Sequence, residues 1–167
     1  VPVASTTPKV PSLRGTKATG GRAVTWIFTV PGSSRTTSAC ATHASDSSRS
    51  VAAPASSLAL TRSTSDGCNV AVASLALGPD DEVVTTDVEH FGLLGPLGTS
   101  GARVGVVGPD PDTTRGAVTS RTRLLALSHV LWTTGRVLPV QELRAKTGVP
   151  VLVDGAQSVG AIPVDAS

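Results

Sequence analysis

Three apolar residues, Val151 to Val153, run directly into an acid, Asp154, and then into the turn-forming Gly155. A short, continuous apolar run bounded by a turn reads as a parallel strand buried on both faces. The carboxyl ends of such strands are where open α/β sheets hold their ligands, so an acid at that end is more often functional than structural. This constraint reaches the whole chain, because a strand buried on both faces needs neighbours on each side and helices above and below it.

The sequence from residue 58 onward supplies those neighbours. Strands are expected at 57–61, 82–86, 103–107, 124–129 and 151–154, and helices at 66–77, from Phe91 to about Gly98, around 112–118 and at 140–146. Regular alternation predicts an α/β fold, a mostly parallel sheet with helices on both faces. Pro139 precedes the last helix, Glu142 and Lys146 stand four apart within it, and Gly148 follows it, as start, support and stop. With two Phe, two Trp and no Tyr, the core must be built from Val, Leu and Ala.

Residues 1–57 differ in kind. Ser, Thr, Ala, Pro and Gly dominate, Asp46 is the only acid, and the single strand-like run, AVTWIFTV from Ala23 to Val30, stands alone among breakers. Too little apolar surface is present to offset about 1–2 kcal/mol of backbone entropy per ordered residue, so this segment reads as a poorly ordered leader. The same composition is what an out-of-frame translation of GC-rich DNA produces. The chain opens with Val rather than Met, as a processed or incomplete product does.

Charge and cysteine usage exclude several classes. A net charge of +2 with so few aromatics argues against a nucleic-acid surface. Cys40 and Cys68 lie far apart and outside metal-ligand spacing, which implies neither a disulfide framework nor a zinc site and makes the cytoplasm the default compartment. No apolar run approaches the roughly 18 residues of a membrane span.

Four stretches carry chemistry, in order: LTRSTSDGCN (60–69), GPDDEVVTTDVEH (78–90), ALSHVLWTTGRVLPVQEL (126–143) and VLVDGAQSVGAIPVD (151–165). Ser63, Thr64, Ser65 and Asp66 precede a helical run, where hydroxyls and unpaired N–H groups converge on an anion or simply cap the helix. His90 ends a strand and turn, a place where a histidine is usually structural or exposed. Asp154 after an apolar strand also suits a magnesium-binding acid of a nucleotide hydrolase, but neither GxxxxGK[ST] nor GxGxxG occurs in this chain. His129, near a strand end, reads as core or support.

Taken together, the four stretches resemble the class V aminotransferases, fold-type I pyridoxal-phosphate enzymes that include cysteine desulfurases and isopenicillin-N-epimerase-like proteins. The resemblance covers about 110 residues, from Leu58 to Ser167, and implies an incomplete large domain of that fold. It implies the cofactor pyridoxal 5'-phosphate, an amino-acid substrate and a homodimer, with no nucleic-acid or membrane partner. By the same resemblance Thr64 and Ser65 contact the phosphate, His90 stacks on the pyridine ring, Asp154 holds the pyridine nitrogen protonated and Gln157 donates to the phenolic oxygen. Asp66, where family members often carry an acid, would sit outward. Cysteine desulfurases usually have asparagine where this chain has Trp132, which tilts the resemblance toward the epimerase-like and lyase-like branch, and Cys68 reads as a core residue rather than a persulfide carrier.

One departure is large. The family's Schiff-base lysine lies beyond the VDGAQ segment, whereas this sequence has only Lys9, Lys17 and Lys146. Lys146 precedes a strand that spans roughly 15 Å, at the end opposite Asp154. The expectation is a cofactor cradle without its covalent anchor, inactive alone, and poorly soluble at its unfinished sheet edge. The alternatives are a cofactor-free remnant serving at most as an interaction module, or an unrelated nucleotide-binding α/β module.

Overall fold

The computed structural model describes residues 24–27, 51–52 and 61–165, with side chains described from 61 to 164. In chain order the elements are β1 (Val24–Ile27), β2 (Val51–Ala52), α1 (Thr64–Ser74), β3 (Glu82–Thr86), α2 (Phe91–Gly98), β4 (Arg103–Val107), α3 (Pro111–Gly116), β5 (Thr122–Ser128), α4 (Val140–Thr147), β6 (Val151–Asp154) and β7 (Val164–Asp165). Five strands form one sheet in the order β1-β6-β5-β3-β4, and every pairing in it is parallel.

Period-two alternation along the strands explains why helices cover both faces. Val83, Leu124, Ala126 and Leu152 turn to one side and pack with Cys68 and Val72 of α1 and with Leu93 and Leu97 of α2. Their sequence neighbours Val84, Leu125, Leu127, Val151 and Val153 turn to the other side and meet Val140 and Leu143 of α4. Each core is aliphatic, as the aromatic-poor composition requires, and each fully buried Leu contributes about 1.5–3 kcal/mol. Continuing the alternation, Ser128 and Asp154 fall on the α1/α2 side.

Strand order also locates the crevice. From β3 the chain crosses to β4 on one side, and from β5 it crosses to β6 on the other, so the topological switch lies between β3 and β5. Loops leaving adjacent strands in opposite directions open a gap at their carboxyl ends.

Most expected elements appear within one or two residues, and β3, α2, β4 and β6 coincide with their expected bounds. In α4 the Glu142–Lys146 pair closes at 2.5 Å, and Gly148, with φ of 70°, ends the helix by donating to the Arg144 carbonyl. The first helix is the main correction. It begins at Thr64 rather than Asp66, because Ser63 is the N-cap and its hydroxyl accepts from the Asp66 N–H at 3.1 Å. It also stops at Ser74 rather than Leu77, because Ala76 takes a left-handed φ of 47°.

That conformation costs a residue bearing a Cβ roughly 1–2 kcal/mol, which glycine avoids at the expense of some unfolded-state entropy. Ala76→Gly is therefore expected to stabilise the protein by about 0.5–1 kcal/mol. Urea denaturation checks this, and a loss of stability would show that Ala76 is unstrained.

The strand expected at 57–61 lies outside the described residues except for Thr61, and so does most of 1–57. The run from Ala23 to Val30 does not stand alone, since Val24–Ile27 pairs in parallel with Val151–Asp154. The reason is backbone accounting: β6 has an edge facing away from β5 whose N–H and C=O groups need partners, and an apolar, β-branched stretch supplies them. Val51 and Ala52 likewise pair in parallel with Val164 and Asp165. Among the described residues no helix is long and apolar enough to cross a membrane.

Candidate functional site

At the switch point, on the α1/α2 side, lies a cavity of about 250 Å3. All five residues singled out in the sequence line it: Thr64 and Ser65 at the start of α1, His90 at the start of α2, Asp154 at the end of β6 and Gln157 in the turn beyond. Three separate loops thus converge on one space.

The α1 end is a cup for an anion. The first turn of a helix has N–H groups without intrahelical acceptors, and their dipoles point outward. Ser63, Thr64 and Ser65 all face the cavity, whereas Asp66 turns to Arg62 at 3.4 Å. The Arg62 side chain and backbone hold the Asp66 carboxyl below its ordinary range. An acid in this first turn is therefore paired outside the cup, and it does not line the cavity.

His90 presents a fixed ring. Its Nδ1 accepts from the Gly92 N–H at 3.1 Å and caps α2, which leaves Nε2 as the nitrogen that carries a proton. Phe91 lies 4.0 Å away between ring centroids, and Trp132 stands edge-on at 5.5 Å and 89°. Gly92 allows α1 and α2 to meet here, because a Cβ on it would lie 2.4 Å from the Ser65 hydroxyl and 3.1 Å from the His90 Nδ1.

Asp154 is the deep acid of the cavity and only 6% exposed. Its Oδ1 accepts from the Ala156 N–H at 2.9 Å. Burial pushes its carboxyl above the ordinary aspartate value, against the smaller downward pulls of the Ala156 hydrogen bond and of His90. Such a group favours a cationic partner, which restores the charge stabilisation that water would provide.

A second acid, Glu89, stands in the turn before His90. It is 5% exposed and joins the ends of two strands: Thr86 Oγ1 donates to its Oε1 at 2.7 Å, the Ser128 N–H donates to its Oε2 at 2.9 Å, and the Ser128 hydroxyl donates to the same oxygen. Burial raises the Glu89 carboxyl, the three donors pull it down, and the Asp154 charge adds to the upward push. Ser128, which this acid holds, also lines the cavity. Two signals were available in the sequence: Glu89 immediately precedes His90, and Ser128 continues the Leu124 and Ala126 face.

Other residues fall away from the site. His129 does not line the cavity. Its backbone N–H donates to the Asp154 carbonyl at 2.9 Å, and burial pushes its imidazole pKa down. Cys68 is fully buried in the α1 core, where burial pushes its thiol up to about 12. At that value it is not a thiolate nucleophile. Lys146 pairs with Glu142 on α4, on the opposite face of the sheet, while Lys9, Lys17 and Cys40 lie outside the described residues.

The chain is similar in sequence and in fold to known proteins. The family model described as aminotransferase class-V matches residues 32–167, beginning upstream of Leu58. The chain is 34% identical over 132 residues to a probable cysteine desulfurase of Mycolicibacterium paratuberculosis, covering 69% of this chain and 19% of that protein. It is 34% identical over 130 residues to a cysteine desulfurase of Klebsiella pneumoniae, covering 68% of this chain and 32% of that one. Among solved structures, it is similar to the cystine C–S lyase C-DES in complex with its product cysteine persulfide, at TM-score 0.53 and 32% identity over 59% of this chain and 31% of that one. A C-DES mutant with glycine covalently linked to its pyridoxal-phosphate cofactor gives TM-score 0.54 and 31% identity over 60% and 31% of the two chains. The chain spans less than a third of the length of these relatives, 19% and 32% of the two desulfurases.

Proposed function

The chain belongs to the class V aminotransferase family, and from that premise we propose that the cavity between α1, α2 and the strand ends holds pyridoxal phosphate. The observation that carries this reading is Asp154, a buried acid sharing one cavity with a helix N-terminus and a fixed aromatic ring. These are the three surfaces that the cofactor needs: a cup for its phosphate, a face for its ring and an anion for its pyridine nitrogen. The residues present fit the group.

When bound, pyridoxal phosphate supplies an electron sink for bonds breaking at the α-carbon of an amino acid. The rest belongs to the protein. Thr64 and Ser65, with the first N–H groups of α1, bind the phosphate and set the ring's position along the crevice. His90, its ring held by the Gly92 N–H, offers a flat aromatic surface. Asp154 accepts a charge-assisted hydrogen bond from the ring nitrogen and keeps it protonated. Gln157 donates to the phenolic oxygen. Glu89 holds Ser128, which lines the cavity, and the two strand ends in register.

The substrate class in this reading is an amino acid, and the desulfurase and C–S lyase relatives favour one whose reacting bond involves sulfur. Exposed Val70 on α1 and Phe91 on α2 offer apolar surface for a second subunit. In this reading the described residues bind the cofactor without a covalent link, and transamination, epimerisation or C–S lysis needs a lysine that they do not bring to the cavity.

Titrating pyridoxal phosphate into the protein tests the proposal. The cofactor's absorbance is expected to shift on saturation, and at a concentration 100 times Kd the protein should gain about 2.7 kcal/mol of stability. Pyridoxal without phosphate should bind far more weakly. An unchanged spectrum together with an unchanged melting curve would leave the cofactor-free remnant as the better account.

A further inference from the structure

We propose that Trp132 is a specificity-determining wall of this cavity, selecting amino acids whose side chains are apolar or sulfur-bearing; the inference rests on the cavity holding pyridoxal phosphate. The Trp132 indole lines the cavity and is nevertheless 55% exposed, a large apolar surface left open at the mouth of a site.

The loop that carries it holds it in place. Val130 and Val137 form an antiparallel bridge, the Leu131 N–H donates to the Arg136 carbonyl at 2.9 Å, and the Leu131 carbonyl accepts from the Gly135 N–H at 2.8 Å. Gly135 closes the turn at φ of 71°, a conformation that residues with a Cβ rarely adopt. Leu131 and Leu138, 1% and 2% exposed, anchor the loop in the core on the α4 face of the sheet.

Orientation then decides what the indole meets. A ring stacked on His90 lies parallel to it and therefore perpendicular to Trp132, since the two protein rings cross at 89°. Trp132 is thus a second aromatic surface of the same cavity, set at a right angle to His90. The phosphate arm and the ring nitrogen are drawn to α1 and Asp154, both polar. Trp132 instead lines the cavity with a half-exposed aromatic surface, against which methylene, thioether or thiol groups pack favourably. A carboxylate or amide pressed there would lose water without gaining a partner.

Stable N-phosphopyridoxyl adducts of glycine, methionine and aspartate test this by calorimetric titration, with no turnover required. In the unaltered protein the methionine adduct is expected to bind about 10-fold more tightly than the glycine adduct, in line with a few methylene-sized groups leaving water, and the aspartate adduct more weakly than glycine. Trp132→Ala should bring the methionine-to-glycine ratio to within about 2-fold, and Trp132→Phe should retain most of the preference. A ratio unchanged in Trp132→Ala, with the glycine adduct still bound, overturns the role of Trp132 and leaves the cofactor site standing. Failure of the glycine adduct to bind the unaltered protein overturns both.

Discussion

Replacing Asp154 by Asn is expected to weaken pyridoxal-phosphate binding by about 10- to 100-fold, the effect of losing a charge-assisted hydrogen bond worth roughly 1.5–3 kcal/mol. The same substitution should make the cofactor-free protein more stable at neutral pH. Burial holds the Asp154 carboxyl above its ordinary value, so the folded protein binds this proton more tightly than the unfolded chain does. Below the ordinary aspartate value both states are protonated and the contribution to stability is fully present. As pH rises through the raised folded value, that contribution is lost. An asparagine has no proton to lose, so its advantage over aspartate should grow from pH 4 to pH 8. Thermal melts of both proteins across that range, paired with cofactor titrations at pH 8, measure the two effects together. A variant that binds the cofactor normally, or that is destabilised more at pH 8 than at pH 4, contradicts the assignment of Asp154 as a desolvated acid awaiting a cation.

Glu89→Ala is expected to cost about 3 kcal/mol or more of folding stability, among the largest losses from one polar residue in this protein. Three donors converge on its carboxylate, and one is the buried Ser128 backbone N–H at the end of β5. Glu89→Gln should cost far less. Its carbonyl oxygen can continue to receive both Ser128 donors, while the Thr86 hydroxyl turns to accept from the new amide. Urea denaturation of both variants gives the comparison. An alanine variant as stable as the parent would show that the connection between β3 and β5 contributes nothing. Because Ser128 lines the cavity and His90 follows Glu89 directly, the alanine variant should also lose cofactor affinity.

Legibility in the sequence followed how local the governing physics was. The bounds of β3 and β6 could be read because each is a short run rich in β-formers between Gly, Pro or Asp residues, a pattern that no distant contact needed to complete. Likewise α4 carries its own start, ion pair and glycine stop. By contrast, α1 was misplaced at both ends. Choosing Ser63 over Ser65 or Asp66 as the cap depends on which hydroxyl reaches a backbone N–H, and four consecutive capping residues give no ranking. The left-handed Ala76 could not be foreseen, since nothing in its composition distinguishes it from a continuing helix. Val24–Ile27 looked solitary because its partner strand lies more than a hundred residues later, a distance that no window on the sequence covers.

The candidate site divides along the same line. Thr64, Ser65, His90 and Asp154 were legible as chemistry, each a polar residue at the end of an expected element, and Gln157 through the resemblance alone. Their convergence was expected only through the family resemblance, because physically it depends on the chain reversing its crossover direction between β3 and β5. Glu89 was missed because a glutamate in a turn ordinarily faces water. It is buried only because Thr86 and Ser128, from two strands, surround it with donors.

What the order of residues determined alone is the alternation of strand and helix and the placing of polar groups at strand ends, since both follow from periodicity and from the backbone's need for partners. Only the tertiary structure decided which face those groups share, because a side chain's direction depends on strand pairing and parity. It alone made a water-seeking pair of acids, Asp154 and Glu89, into a buried and electrostatically expensive floor suited to a cationic ring.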